Sequence, residues 1–321
     1  MKRYDLIVLG DLVADIIMPV NKLPIRPNEH DWADGLFTEL GGSCTTLVAA
    51  RRVDLTVSTL GILGDDSYGH QVTQMLADEG VDISHIWARE DQQTVLCVVI
   101  VDKAGQHVFL GIKDHKPPVR CPREWKETIQ QARNVFTTGY TLRDLLHPKD
   151  SVELLRVAKS NNIPVFFDPG PSIKFIPDPT LKEALRATEV LLLTAEEAQL
   201  LVDGEGAEAS TELLRFGPSV VVLKMGDEGC LVTSAEQTIH HPGFDIDVVD
   251  TVGAGDSFVA AFIAGYLRGG DLRDCAALGN AMGAAVASTQ GAGRKVPDAD
   301  RLLEILGNDP AAHLISASAA I

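Results

Sequence analysis

The chain has 321 residues, 45% hydrophobic and 23% charged, an ordinary balance for a globular protein with a sizeable core. Forty-five acidic against 28 basic residues give a formal charge of −17, which argues against nucleic acid as a partner. No apolar run approaches the ~20 residues of a membrane span, and Asp5, Asp11 and Asp15 interrupt the apolar start, so neither a spanning helix nor a signal peptide is expected.

Tyr4 to Leu9 reads as a buried first strand ended by Gly10. Similar short apolar runs recur at Thr56–Leu60, Val135–Thr138, Val165–Phe167, Val190–Leu193 and Val220–Leu223. Most follow amphipathic stretches, at Tyr68–Gly80, Glu124–Arg133, Ser151–Asn162 and Thr180–Thr188. Strands alternating with helices predict parallel βαβ units, and the near-continuous apolarity of the strands predicts a sheet covered on both faces. The expected fold class is therefore α/β, a Rossmann-like three-layer α/β/α core with a mainly parallel sheet.

Two stretches break the rhythm. Ile16–Leu40 is rich in proline and polar residues, and Thr94–Leu110 carries two β-type runs around "DKAG", a hairpin signal. Both are read as a small β lid, over about 16–40 and 94–111, projecting from one domain spanning 1–307. Cys230–Val249 is also β-like, with turns at "SAEQ" and "HPGF", while Leu272–Thr289 and Asp298–Leu306 are helical. The tail, 308–321, lacks a clear period and is expected to be loosely held. Five scattered cysteines with no CxxC pair suit a reducing cytoplasm better than a disulfide framework. His30, His70 and His107 have no metal-ligand spacing.

The most informative stretch is "DTVGAGD", Asp250 to Asp256, where a β-like segment meets an apolar helix. The first turn of a helix presents unpartnered N–H groups and a positive dipole. Glycines there let a ligand approach closely, so Gly253, Ala254 and Gly255 suit a nest for phosphoryl oxygens. Asp256, beside that nest, is placed to take a proton from an attacking hydroxyl, and the helix end is expected to favour its ionised form. The plain alternative is Asp256 as a helix cap. A dinucleotide GxGxxG fingerprint fails because Phe258 occupies the third glycine position, and no GxxxxGK[ST] loop occurs.

"DTVGAGD" resembles the C-terminal signature of the ribokinase-like, or PfkB, carbohydrate kinases. Other stretches resemble that family's motifs in the same order, from "GDLVAD" at the end of its first strand, "ELGGSCTTLVAAR" and "GILGDDSYG" to "FFDPG", "TAEEAQLL", "LKMGDEGC" and "STQGAGRKVP". The resemblance runs from residue 4 to about 306. It implies a core with a β lid and transfer of the ATP γ-phosphoryl to an alcohol. Asp256 would be the base and Gly253, Ala254 and Gly255 the anion hole. Asp15, Gly41, Gly42 and Thr46 would face the sugar, and Thr194, Lys224, Gly226, Gly229 and Asn280 the nucleotide. Glu197 would order Mg²⁺ through water, and Asp250 with the Ser288–Gly293 loop resembles a monovalent-cation site for K⁺. Thr46 and Thr194 stand where the family usually has Asn.

Each position also has a structural reading. Asp15 would end a strand or cap a turn; Gly41 and Gly42 would form a turn with Ser43 as a cap; Glu197 would be a first-turn acid; Lys224 would be a solvated strand end; Asn280 would satisfy a neighbouring loop. The acids of "GDDSYG" would cap the helix from Tyr68. Among acceptors, a neutral sugar ranks ahead of a nucleoside stacked on Trp32 or Phe109, and ahead of a sugar phosphate held by Lys103, Lys113 or Lys116. A non-catalytic sugar- or nucleotide-binding protein is the alternative of a different class. The apolar "VLCVVIV" lid run suggests a homodimer through the lid.

Overall fold

The computed structural model describes residues 2–316 apart from Glu29, Asp31 and His115. Its strands are β1 (Tyr4–Leu9), β2 (Leu12–Pro19), β3 (Phe37–Gly42), β4 (Val57–Leu60), β5 (Ile62–Gly64), β6 (Trp87–Arg89), β7 (Val95–Val101), β8 (His107–Ile112), β9 (Ala132–Thr138), β10 (Val165–Asp168), β11 (Val190–Thr194), β12 (Val220–Lys224), β13 (Cys230–Ser234) and β14 (Thr238–His241). The helices that matter below are α1 (Ser43–Arg52), α2 (Ser67–Asp78), α3 (Pro148–Ser160), α4 (Asp178–Ala187), α5 (Ala195–Ala198), α6 (Ala254–Leu267), α7 (Leu272–Ala287) and α8 (Ala299–Leu306).

Eight strands form the main sheet in the order β14-β13-β12-β11-β10-β9-β1-β4. From β4 to β12 the pairings are parallel; β13 and β14 close one edge as antiparallel strands. Alternation along β1 explains the layers. Leu6 and Val8 join one buried core with α1, α6 and α7, whereas Ile7 and Leu9 join a second with α3 and α4. The chain has the α/β architecture expected of it, with a large mostly parallel sheet and a smaller separate one.

That smaller sheet is four-stranded, in the order β3-β2-β7-β8. The β7–β8 hairpin turns at "DKAG", where Gly105 (φ 77) donates its N–H to the Asp102 carbonyl. Two local expectations change. Asp15 does not end the first strand: β1 stops at Leu9, and Asp15 sits inside lid strand β2, between Glu39 of β3 and Cys97 of β7. Ser43 does not cap α1; its hydroxyl donates to Asp11 instead, at 2.8 Å. Asp66 does cap α2, accepting from the Gly69 N–H at 2.8 Å.

The helix read over Glu124–Arg133 is short, Trp125–Ile129, because Ala132 already belongs to β9. The tail expected to be loose is packed as far as it is described: Ala311, Leu314 and Ile315 are buried in the same core as α6 and α7. Residues 317–321 lie outside the described residues. All five cysteines are free, and among the described residues no helix is long and apolar enough to cross a membrane.

Candidate active site

The parallel strands end in polar residues at one edge of the sheet. Asp11 follows β1, Thr138 ends β9, Asp168 ends β10, Thr194 ends β11 and Lys224 ends β12. Ligands of open α/β sheets bind outside these carboxyl ends. The N-terminus of α6 opens into the same place. Gly253 precedes it in the left-handed conformation (φ 78), with no side chain capping the first turn. A Cβ on Gly253 would come within 3.0 Å of Thr45 and Ala292 side-chain carbons, so the turn needs glycine for space as well as for φ.

Asp256 lies in the first turn of α6, and its carboxylate accepts no hydrogen bond from the described residues, so the capping role is not seen. Burial, reinforced by the negative charge of Asp168, pushes its pKa up to about 7 against the pull of Lys224. The sequence-based expectation that the helix end would favour the ionised form is thus overturned by desolvation. A carboxyl group titrating near neutrality suits proton transfer.

Lys224 is not a solvated strand end. Its ammonium is 2.5 Å from Asp168 Oδ2, both side chains are largely buried, and it faces Gly255, where a Cβ would sit 3.7 Å from Nζ. Burial opposes its charge, but Asp168, then Glu197 and Asp256, outweigh that and hold its pKa above the ordinary lysine value. Thr194 and Glu197 form a reciprocal cap on α5. The Thr194 hydroxyl accepts from Glu197 N–H (3.2 Å), and Glu197 Oε2 accepts from Thr194 N–H (2.8 Å). Glu197 is therefore a first-turn acid that also faces Asp168; burial and that neighbour raise its pKa.

On the lid side, the interior strand β2 carries Asp15 close enough to Asp11 for the two carboxylates to act on each other. Burial, then Glu39 and Asp11, push Asp15 up to about 7. A Cβ at position 41 would lie 2.1 Å from Asp15 Oδ1, so Gly41 is the space Asp15 occupies. Gly42 (φ 56) likewise passes against the Asp11 backbone and carboxylate. Asp11 accepts from the Ser43 and Thr138 hydroxyls, both at 2.8 Å, and burial raises its pKa. Asp11, Asp15 and Asp168 all lie close enough to Asp256 to act on its charge.

The profile of the pfkB carbohydrate kinases, described as "pfkB family carbohydrate kinase", matches residues 4–299. The chain belongs to this family. It is a pfkB kinase, a phosphotransferase. Among its relatives, the ATP-dependent ribose-1-phosphate kinase of Halopiger xanaduensis is 30% identical over 92% of this chain and 96% of its own length. A nucleoside kinase of Methanothermobacter thermautotrophicus is 26% identical over 92% of this chain and 93% of its own. The structure of Arabidopsis thaliana ribokinase complexed with ribose and ATP superposes with a TM-score of 0.80, at 22% identity, over 95% of this chain and 99% of that one.

The remaining residues singled out by the pfkB resemblance divide. Gly226 (φ 62) opens a short turn after β12, with nothing near where a Cβ would point. Gly229 (φ 86) is a packing glycine: a Cβ there would strike the His241 carbonyl at 2.2 Å. Asn280 is buried in α7 and spends its amide N–H groups on the His241 and Pro242 carbonyls, which matches its structural reading. Thr46 is fully buried, its hydroxyl without a partner and turned away from open solvent. Asp250 accepts from Val252 and Gly291 N–H groups and meets lid residue His107 at 3.3 Å, tying the lid hairpin to the glycine turn.

Sequence reasoning passed over Asp11, Asp168, Glu39 and Tyr140. Asp11 and Asp168 carried a signal: each is the first acid after an apolar strand run, in "VLGD" and "FFDPG". Glu39 pairs with Arg294 (2.9 Å) and is hidden in a lid strand, and Tyr140 carries no comparable mark.

Proposed function

We propose that this pfkB kinase transfers the γ-phosphoryl of ATP to a hydroxyl of a small sugar, with Asp256 as the general base. The observation that carries the reading is the pairing of an uncapped, glycine-led helix N-terminus with a half-buried carboxyl whose pKa is pushed up to about 7. Gly253, Ala254 and Gly255 supply N–H groups to the charge that develops on the transferred phosphoryl. Lys224, held by Asp168, stands beside them as a fixed positive charge. Asp15, with Gly41 and Gly42 beneath it, accepts from sugar hydroxyls and orients the acceptor. Asp256 takes the proton as the hydroxyl oxygen bonds to phosphorus.

The carboxylates of Asp168 and Glu197 lie close enough to raise the pKa of one of them, a donor set suited to a hydrated divalent cation. They would hold Mg²⁺ through its waters, and the ion would neutralise phosphate charge. Gly226 and the turn it opens border the nucleotide. Asp250 and the Ser288–Gly293 loop are proposed as the K⁺ site. Over the cleft, the lid excludes water that would compete as acceptor.

The exposed side chains of Leu36, Phe37, Phe109 and Leu110, with β8 at the sheet edge, support a homodimer through the lid. Free cysteines support a cytoplasmic location. ATP-dependent ADP release with Mg²⁺ and K⁺, across pentoses, hexoses, their phosphates and nucleosides, tests the reading. Turnover on one class of acceptor is expected. ATP and sugar binding without turnover on any would favour the binding-protein alternative.

A further inference from the structure

Lid strand β3 carries a carboxylate that breaks a local rule of sheets. Glu39 stands directly opposite Asp15 of β2 in the antiparallel pair, so two acids share one face of the lid with their Cβ atoms about 5 Å apart. Like charges so placed are destabilising, and Glu39 is buried, only 7% exposed. The cation that offsets this lies 255 positions away in the sequence. Arg294 donates its backbone N–H (3.3 Å) and its Nε–H (2.9 Å) to Glu39 Oε1, and Nη2 faces Oε2 at 3.4 Å. Two features hold Arg294 in place. Gly293 (φ 63) lets the loop touch β3, since a Cβ there would lie 2.6 Å from the Leu40 carbonyl and 2.8 Å from Glu39 Cγ. Arg52 of α1, paired with Glu79 at 2.6 Å, donates to the Arg294 and Val296 carbonyls. Asp15 is left with no hydrogen-bond donor among the described residues, its carboxylate in the space over Gly41.

We infer that Arg294 is a positioning residue for the acceptor: by holding the Glu39 carboxylate it leaves Asp15 over Gly41, open to the acceptor's hydroxyls. Glu39 already acts on Asp15 more strongly than Asp11 does, and raises its pKa. Without Arg294 that charge stands unpaired beside Asp15. The two carboxyls then share a proton, and so bond to one another, or they move apart. Either response draws Asp15 from its place over Gly41. Arg294 is at the outer end of the pair, its side chain 41% exposed, so a substitution there opens no core cavity and reaches the cleft through Glu39. The guanidinium fork spans both carboxylate oxygens, which a lysine ammonium does not, so lysine replaces it only in part.

This inference rests on the acceptor role proposed for Asp15, and one set of kinetics separates the two. ADP release is measured for the wild type, Gly41→Ala, Arg294→Met, Arg294→Lys and the double variant Arg294→Met/Glu39→Gln. The acceptor is the member of the panel above that turns over best. Arg294→Met is expected to raise its KM about tenfold while the KM for ATP stays within about twofold. Arg294→Lys should stay within about threefold of the wild type. The double variant should also return to within about threefold, because the carboxylate left unpaired is now a neutral amide. If Arg294→Met fails to fold, the double variant carries the test: folding with a near-normal acceptor KM supports the inference, and failure to fold overturns it. An acceptor KM unmoved in Arg294→Met, or still raised in the double variant, also overturns it. The role of Asp15 stands in these cases as long as Gly41→Ala raises the acceptor KM. An acceptor KM unmoved by both Gly41→Ala and Arg294→Met, or no turnover of any acceptor by the wild type, overturns both readings.

Discussion

The ammonium of Lys224 lies 2.5 Å from the carboxylate of Asp168, and together they stand in front of the first turn of the helix that carries Asp256. The two residues end β10 and β12, the strands on either side of the one that ends in Thr194. The pair fixes a positive charge beside the glycine turn and keeps Asp168 from adding its full repulsion to Asp256.

Removing one partner leaves the other charge buried. Lys224→Met is expected to cost about 3 kcal/mol of stability, with Asp168→Asn recovering part of that in the double variant. Urea denaturation of the two single variants and the double variant measures the coupling. Strict additivity would show that the pair is not an energetic unit.

Gly41 is the space that Asp15 fills, since a Cβ there would lie 2.1 Å from its carboxylate. Gly41→Ala is expected to turn Asp15 out of place and raise the acceptor KM at least about tenfold, with the KM for ATP nearly unchanged. Steady-state kinetics with each substrate varied in turn would detect this. An unaltered acceptor KM would remove Asp15 from acceptor binding.

The raised pKa of Asp256 has consequences for rate and for stability. As a base it must be ionised, so kcat/KM should rise with unit slope as pH increases towards about 7 and then level. For stability the sign is opposite. The folded carboxyl holds its proton more tightly than the ordinary carboxyl, whose pKa is 3.8, so its stabilising effect is complete below 3.8 and lost as pH rises through about 7. Asp256→Asn, which stays neutral, should therefore be more stable than the ligand-free wild type at pH 8, by about 2 kcal/mol after allowance for solvent in the cleft. At pH 3.5 the difference should vanish. Thermal melts at both pH values check this, and a variant less stable than wild type at pH 8 would contradict the assigned burial of the charge.

The strands and the glycine turn were legible because each rests on local pattern. A short apolar run closed by a turn names its own strand, and "VGAGD" followed by "SFVAAFIAGYL" names a helix start with room for a ligand. The encirclement of that turn was not legible. Asp168 and Asp256 are 88 positions apart in the sequence, and only the path of the chain through the sheet, its antiparallel edge strands included, brings the strand end and the helix turn together. Asp15 was singled out, but its place inside a lid strand was not, because nothing in "LVADII" after the first strand's end at Gly10 shows that Leu12 begins a strand of a second sheet. Asn280 shows the converse. A polar residue in an Ala-rich helix attracts a functional reading, yet its hydrogen bonds to the His241 and Pro242 carbonyls account for it.

The central claim is that Asp256 moves the proton in phosphoryl transfer. The most direct test is single-turnover transfer of the γ-phosphoryl from ATP to the preferred acceptor, comparing the wild type with Asp256→Asn and measuring ATP binding in both. The account predicts a transfer rate lowered by about 10²–10⁴-fold in the variant, with ATP affinity nearly intact. A variant that transfers phosphoryl at a rate close to that of the wild type would contradict it.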